Sequence, residues 1–243
     1  MVSRRDTLKA LCGGVAAAAL HGGQAMADTG TPGGSAISES PRAYRGAYEA
    51  RPLPFDPAKL KGLSETLLTS HHQNNYGGAV KRLNLIQQQL GGMPKDAAPY
   101  QIGALKREEL IATNSMILHE LYFGNLGGDG KPSGPIVPLL GAAYGSLAAW
   151  EQELRLTGAS LGGGSGWVIV SYDPHARAVH TAWAGDHTQN LAGGTPLLVM
   201  DMYEHAYAID YGANAKAYID AFFLNLDWDA VNQRTERARA AAA

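Results

Sequence analysis

The chain has 243 residues, of which 45% are hydrophobic and 17% charged, a composition typical of a soluble globular protein with one or two domains. Disordered, collagen-like and multi-span membrane proteins differ strongly from this composition and are excluded as classes. Twenty Lys and Arg residues against 22 Asp and Glu residues give a formal net charge of −2. Without a basic excess, the chain is not expected to bind nucleic acid.

The first 27 residues predict a signal peptide. Arg4 and Arg5 precede a weakly apolar run that is about half as long as a segment able to span a bilayer. The stretch from Ser3 to Lys9 resembles the twin-arginine export signal, with Thr7 at the position that usually holds Phe. The segment ends in Ala-Met-Ala, which is a small-residue cleavage site. We therefore expect a periplasmic or secreted protein that is exported already folded, without a stable membrane anchor.

The single cysteine, Cys12, lies inside this signal peptide. Cleavage after residue 27 would leave a chain without a thiol, and so without a disulfide or a cysteine-based metal site. Any metal in the mature protein would have to be held by histidine and carboxylate side chains.

After the signal peptide, residues 28–57 are rich in Gly, Pro, Ser and Thr and predict a mobile or extended leader. Apolar residues then recur at three- and four-residue spacing over residues 64–91, which predicts a helix with a kink at Gly77-Gly78. A second helix is predicted over residues 106–125. Two long helices joined by a loop containing Gly and Pro predict an antiparallel helical hairpin domain at residues 58–127.

A glycine-rich linker at residues 128–135 marks the best domain boundary, and a second domain is predicted over residues 136–243. This second domain combines the apolar spacing of helices with that of strands, so the predicted overall fold class is α+β. Its predicted elements are a helix at 142–156, strands at 167–172, 178–184 and 195–200, and helical segments at 203–211 and 215–226.

Four residues are candidate metal ligands: His71 and His119 in the two predicted helices, and Asp201 and His205 after the third strand. The spacing Asp-x-x-x-His lets both side chains reach one point from the end of a rigid strand. Three imidazoles and one carboxylate form a mixed nitrogen and oxygen set that suits Fe, Mn or Zn. Each residue taken alone is explained as well by a hydrogen-bonded position in the core, so the pattern leaves both interpretations open.

The order of several longer segments is more specific. The chain resembles the iron/manganese superoxide dismutase family over about residues 53–234, in the segments LPFDPAKLKGLSETLLTSHHQNNYGGAVKRLN, LHELYFGNL, GSGWVIV, DMYEHAYAIDY and AKAYIDAFFLNLDWDAVNQR. The resemblance implies a helical hairpin domain followed by an α/β domain with a small antiparallel sheet of about three strands. It also implies conversion of superoxide to O2 and hydrogen peroxide at one Fe or Mn ion per subunit. The same ligands serve both metals, so the choice between them stays open.

Carried over residue by residue, the resemblance makes His71, His119, Asp201 and His205 the ligands of one metal ion. It implies that Glu204 bridges to the ligand histidine of a partner subunit in a homodimer or homotetramer, whereas the simpler interpretation of Glu204 is a solvated acid at the start of a helix.

The resemblance also implies a Gln or His that holds the metal-bound solvent. His187 is the candidate for this catalytic position, with Gln189 in reserve, and the simpler interpretation of His187 is a histidine in a surface loop.

The chain departs from the family at the substrate gateway. Counting from His71 places Ala79 at the gateway tyrosine, Asn75 at the neighbouring histidine and Ala208 at the tyrosine that the partner contributes. Tyr76, one helical turn before Ala79, is a candidate replacement with a catalytic role. The joint loss of the gateway residues leaves a second hypothesis open: a mononuclear metalloprotein on this fold that acts on or binds another small molecule. A metal-free binding protein is the third.

Overall fold

The long N-terminal helix begins where the sequence predicts, at Ser64, whose hydroxyl oxygen accepts a hydrogen bond from the Leu67 N–H at 3.0 Å. The structure is a computed structural model that describes residues 41–242, so the predicted signal peptide and residues 28–40 of the leader lie outside the described part. The helix runs as α1 (Glu65–Ser70), a π-helical turn (His71–Tyr76) and α2 (Gly77–Gly91). The π-helical turn therefore lies directly before Gly77-Gly78, where the sequence predicted a kink.

Helix α3 (Pro99–Phe123) pairs with this first helix. Tyr76 meets Glu120 near one end of the pair, and Gln87 meets Glu109 near the other, so the two helices run antiparallel as predicted. The predicted start at residue 106 is wrong by seven residues. Pro at the first helical position starts the helix earlier, in an exposed turn that has no apolar periodicity to reveal it.

Two helices occupy the region where the sequence predicted one helix at 142–156. They are α4 (Ile136–Tyr144) and α5 (Leu147–Leu161). Gly145 adopts a φ of 84°, which ends α4, and the Ser146 hydroxyl accepts from the Ala149 N–H at 3.1 Å, which caps α5. The prediction was wrong because it followed the apolar spacing through this Gly-Ser pair.

The three predicted strands are present as β1 (Trp167–Asp173), β2 (Ala178–Ala184) and β3 (Thr195–Asp201). They form an antiparallel sheet in the order β2-β1-β3, with β1 in the centre. The register pairs Trp167 with Asp201, so the start of the central strand lies beside the end of β3. The α+β fold class with a small antiparallel sheet is confirmed.

After β3 the chain forms a 3₁₀ turn (Glu204–Ala206), α6 (Ala208–Tyr211), α7 (Ala215–Leu224) and α8 (Trp228–Ala241). The helical segment predicted at 203–211 is divided at Tyr207, whose φ of −148° is not helical. The segment predicted at 215–226 ends two residues earlier. Helix α8 starts separately because the Asp227 carboxylate caps it by accepting from the Ala230 N–H at 3.1 Å.

The core lies where α3, α5 and α8 pack against the sheet. The loop at 128–135 is tied to the α7–α8 connection, because Gly128 N–H and Gly130 N–H donate to the carbonyls of Asn225 and Leu226, each at 3.1 Å. The division into a hairpin domain and an α/β domain at this loop stays a prediction. Within the described residues, no helix has the length and apolar character needed to cross a bilayer.

The described part of the predicted leader lies along the helical hairpin. Residues 45–56, called the strap below, contain neither helix nor strand. The Asn84 side chain on α2 accepts from the Tyr48 N–H at 2.8 Å and donates to the Tyr48 carbonyl at 2.9 Å. Gln87 on the same helix accepts from the Gly46 N–H at 3.1 Å. These bonds hold the strap in one register on α2.

Candidate metal centre

Four elements contribute one side chain each to a buried cluster. His71 comes from the π-helical turn, His119 from α3, Asp201 from the last residue of β3, and His205 from the 3₁₀ turn that follows. A π-helical turn is uncommon and occurs often at functional sites, because the wider turn redirects the side chains on it. The structure thus brings together all four residues that the sequence marked as candidate ligands.

One ligand atom from each of the four side chains lies within 4.8 Å of the other three. The Oδ2 atom of Asp201 is the common centre. It lies 3.1 Å from Nε2 of His71, 3.2 Å from Nε2 of His205 and 3.6 Å from Nε2 of His119. His71, His119 and Asp201 are at most 1% exposed, whereas the side chain of His205 is 26% exposed.

The hydrogen bonds of His119 show which of its ring nitrogens carries the proton. Nδ1 lies 2.6 Å from the Ser115 carbonyl oxygen, which can only accept, so Nδ1 carries the hydrogen. Nε2 of the neutral ring is then a bare lone pair, and it has no hydrogen-bond partner among the described residues. Both ring nitrogens of His71 also lack a hydrogen-bond partner among the described residues. A bare nitrogen that faces a carboxylate oxygen in a dry interior is an unfavourable pair unless a cation lies between them.

The charges in the cluster fit a metal ion in the same way. Burial lowers the pKa of His119 to about 3 and lowers that of His71, so both rings are neutral near pH 7. Burial alone would raise the pKa of the Asp201 carboxyl, but the neighbouring His205 and His71 outweigh it and hold the pKa well below its usual range. Neutral imidazoles and an ionised carboxylate are the forms that bind a metal.

The Asp201 carboxylate is held in position by groups outside the cluster. Its Oδ1 atom accepts from the Tyr203 N–H at 2.9 Å, which directs Oδ2 toward the histidines. The backbone carbonyl of Asp201 accepts from the Tyr218 hydroxyl at 2.7 Å. Both tyrosines therefore orient the carboxylate without touching the imidazole nitrogens, as is usual for groups behind a metal ligand.

Comparison with known proteins decides the family. The C-terminal domain of iron/manganese superoxide dismutases matches residues 132–234. A protein named superoxide dismutase [Fe] from Cupriavidus metallidurans is 53% identical over 182 residues, covering 74% of this chain and 92% of its own. The chain belongs to the iron/manganese superoxide dismutase family.

Two less similar members of the family differ in the metal that their names give. Superoxide dismutase [Fe] from Aquifex aeolicus is 37% identical, covering 75% of this chain and 88% of its own. Superoxide dismutase [Mn] 1 from Halobacterium salinarum is 31% identical, covering 79% of this chain and 96% of its own. Similarity to family members thus supports iron or manganese without separating them.

His187, the predicted solvent-holding residue, lies beside the cluster. Its ring stacks on Tyr203 at 4.8 Å, and Tyr203 stacks in turn on His205 at 5.2 Å. The Trp167 indole N–H donates to Nδ1 of His187 at 2.9 Å, and Asn114 on α3 donates to its backbone carbonyl at 2.6 Å. His187 is therefore a fixed, half-buried residue, and burial lowers its pKa.

Gln189, the reserve candidate, is not brought to the cluster. It is exposed, and its side-chain oxygen accepts from the Gly185 N–H at 2.8 Å, within its own loop.

The three residues at the family's gateway positions differ in how far they are exposed. Ala79 is buried, Asn75 is half-buried and Ala208 is exposed. The catalytic role predicted for Tyr76 stays a prediction, but its hydroxyl donates to Glu120 at 3.0 Å and accepts from the Arg51 N–H at 2.8 Å. Glu204 is exposed on the 3₁₀ turn next to His205.

Sequence reasoning missed the supporting residues Ser115, Asn114, Tyr218 and Trp167. Ser115 could have been found, because it precedes His119 by one helical turn and its carbonyl lies within reach of that ring. Asn114 and Tyr218 gave no signal, since their contacts join segments that are far apart in sequence. Trp167 was recognised only as part of the Gly-Ser-Gly-Trp strand.

The pKa shifts predict how acid affects the metal-free protein. Burial lowers the folded-state pKa of His119 to about 3 and also lowers that of His71, so below pH 6.5 the unfolded chain binds protons that the folded chain does not. We expect the free energy of unfolding to be fully retained above pH 6.5 and to fall steadily below it. Urea titrations over this range measure the slope.

His119→Gln should make that slope shallower, whereas His175→Gln, at an exposed histidine, should leave it unchanged. A stability that stays constant from pH 7 to pH 4 would contradict the neutral state of the buried imidazoles.

Proposed function

We propose that the protein is a superoxide dismutase that converts superoxide to O2 and hydrogen peroxide with one Fe or Mn ion per subunit. The observation that carries the proposal is the bare Nε2 of His119, which lies 3.6 Å from Oδ2 of Asp201 inside the buried cluster. The names of the relatives support the reaction. His71, His119, Asp201 and His205 would hold the metal.

A bound iron or manganese ion supplies the one-electron redox change that dismutation needs, whereas zinc has none. The chain supplies a single negative charge at Asp201 and three imidazole rings around it. Burial of His71 and His119 keeps water from competing for their nitrogens. The Tyr203 N–H fixes the carboxylate, so one oxygen stays directed at the cluster.

His187 has the geometry to hold a solvent molecule or an anion at the cluster. Trp167 donates to Nδ1, so the neutral ring of His187 carries its own proton on Nε2. That nitrogen is a hydrogen-bond donor, and the ring centroid lies 6.4 Å from that of His119. We assign His187 the role of placing a donor beside the metal, and Trp167 the role of fixing its tautomer.

The function is tested by metal analysis of protein purified from its native compartment, together with a superoxide assay. We expect stoichiometric iron or manganese and rapid superoxide consumption. Asp201→Ala should lose both, because the remaining three rings carry no negative charge. His187→Ala should keep the metal and lose at least about tenfold in superoxide consumption, because only the hydrogen-bond donor is removed.

Wild-type protein that contains the metal but does not consume superoxide would overturn the proposal and favour the second hypothesis, binding or conversion of another small molecule. Wild-type protein without metal would favour a metal-free binding protein.

We propose further that two copies assemble through the surface around Glu204. His205 is 26% exposed on its side chain in the single chain, although the other three ligands are buried. Its Nε2 faces Asp201, so Nδ1 is the nitrogen available to Glu204 of the partner subunit. Exposed Ala208 and Ile209 lie on the next turn and supply apolar area. Such contacts repeat twice around a two-fold axis, in a dimer or within a tetramer.

Sedimentation velocity tests this assembly. Glu204→Ala should shift the protein toward the monomer, because the bridge to His205 is lost twice at each two-fold interface. Glu153→Ala, at an exposed acid on α5, serves as the matched control and should leave the assembly unchanged. A wild-type protein that is monomeric at micromolar concentration would contradict the proposal.

The twin-arginine pattern supports export to the periplasm or beyond as a folded protein. Replacing Arg4 and Arg5 together with Lys should leave the full-length chain in the cytoplasm, because the export pattern depends on the arginine pair. Cell fractionation and the mass of the mature N-terminus measure the outcome. A double variant that is exported and cleaved as efficiently as the wild type would contradict this route.

A further inference from the structure

Arg51 in the strap is held by three separate contacts. Its N–H donates to the Tyr76 hydroxyl at 2.8 Å, and its carbonyl oxygen lies 2.8 Å from Nε2 of His72. Its guanidinium forms an ion pair with the Glu120 carboxylate at 3.1 Å. Arg51 therefore attaches the strap to two helical segments, the π-helical turn and α3.

Two of these partners directly follow a candidate metal ligand in the sequence, and the third lies five residues after one. His72 follows His71, and Glu120 follows His119. Tyr76 ends the π-helical turn that begins with His71. The strap thus contacts both ligand-bearing segments, the π-helical turn and α3, within five residues of a ligand.

Tyr76 is the centre of this network. Its side chain is 1% exposed, and its hydroxyl links the strap backbone to Glu120 on α3. The Phe123 ring lies between the network and the cluster, with ring centroids 6.4 Å from Tyr76 and 5.0 Å from His71. A shift of Tyr76 would therefore be transmitted to His71 through packed rings.

The packing beside Tyr76 leaves room for such a shift. A cavity of about 190 Å³ lies between the strap and the hairpin, and its lining includes Arg51, Tyr76 and Phe123. Once the hydrogen bonds at its hydroxyl position are lost, the end of the Tyr76 ring can shift into this space.

We propose that Tyr76 is a positioning residue that ties the strap to both ligand-bearing helices and thereby slows release of the metal. The inference rests on the proposed function only in that the four ligands hold a metal. Under this proposal, Tyr76 acts as a structural link and does not contact the substrate. The strap then contributes to the metal site through Tyr76. Groups that orient ligands from behind typically change metal affinity by about 10- to 100-fold.

The experiment measures transfer of iron or manganese from the purified holoprotein to an excess of chelator. Tyr76→Phe removes the hydroxyl and keeps the ring, and we expect metal release to become about tenfold faster. Asn84→Ala is the matched control, because it removes two hydrogen bonds to the same strap on α2, away from the ligands. Its metal release should equal that of the wild type.

Thermal unfolding of the metal-free proteins separates positioning from general stability. Under the proposal, the stabilisation that the metal adds is smaller in Tyr76→Phe than in Asn84→Ala. A purely structural role of Tyr76 would lower the unfolding temperature of the metal-free and metal-bound forms equally and leave metal release unchanged, and this result would overturn the proposal.

A second pair of variants tests the same link from α3. Glu120→Gln keeps an oxygen that accepts from the Tyr76 hydroxyl and should release metal nearly as slowly as the wild type. Glu120→Ala should behave like Tyr76→Phe, and equal release from both Glu120 variants would overturn the inference even if Tyr76→Phe fails to fold. Wild-type protein that purifies without metal overturns the proposed function and this inference together, whereas slow metal release from every variant overturns the inference alone.

Discussion

The approach of three imidazoles to one buried carboxylate is the interaction on which the rest of the structure depends. Oδ2 of Asp201 lies within 3.6 Å of three histidine nitrogens, in a region where Asp201 itself is fully buried. A buried charge and bare acceptor atoms are strongly destabilising without a partner. A cation at this point relieves all of these costs together, so the cluster is best understood as a site built around a metal.

The architecture holds this cluster by joining parts of the chain that are distant in sequence. The end of β3 places Asp201, and pairing with Trp167 on β1 fixes the strand end. The indole of Trp167 then reaches His187, whose loop is tied to α3 by Asn114. The strap adds a further connection, because Arg51 contacts both the π-helical turn and α3. Side chains carried by strands and by hydrogen-bonded helices are held more precisely than side chains on free loops.

Much of this could be predicted from the sequence, for reasons that differ between elements. The strands were found because their apolar runs are short and bounded by turns, and β2 has the predicted bounds. The four ligands were found through the order of whole segments, since Asp-x-x-x-His alone is common. The single helix at 142–156 was wrong because apolar spacing continues through Gly145 and Ser146, where backbone conformation and capping decide the outcome.

The contacts that orient the site were harder to predict. The sequence favoured His187 but kept Gln189 in reserve, because both lie in one loop and the contacts that distinguish them, such as the bond from Trp167 to His187, are not visible in the sequence. The strap contacts at Tyr76 also have no local signature, since they join groups more than 20 residues apart.

The most direct test of the account is anomalous X-ray diffraction at the iron and manganese absorption edges, from crystals of the metal-loaded protein. We expect one anomalous peak per subunit, within coordination distance of Nε2 of His71, His119 and His205 and of Oδ2 of Asp201. A peak elsewhere in the chain, or metal-bound crystals in which Asp201 does not contact the ion, would contradict it.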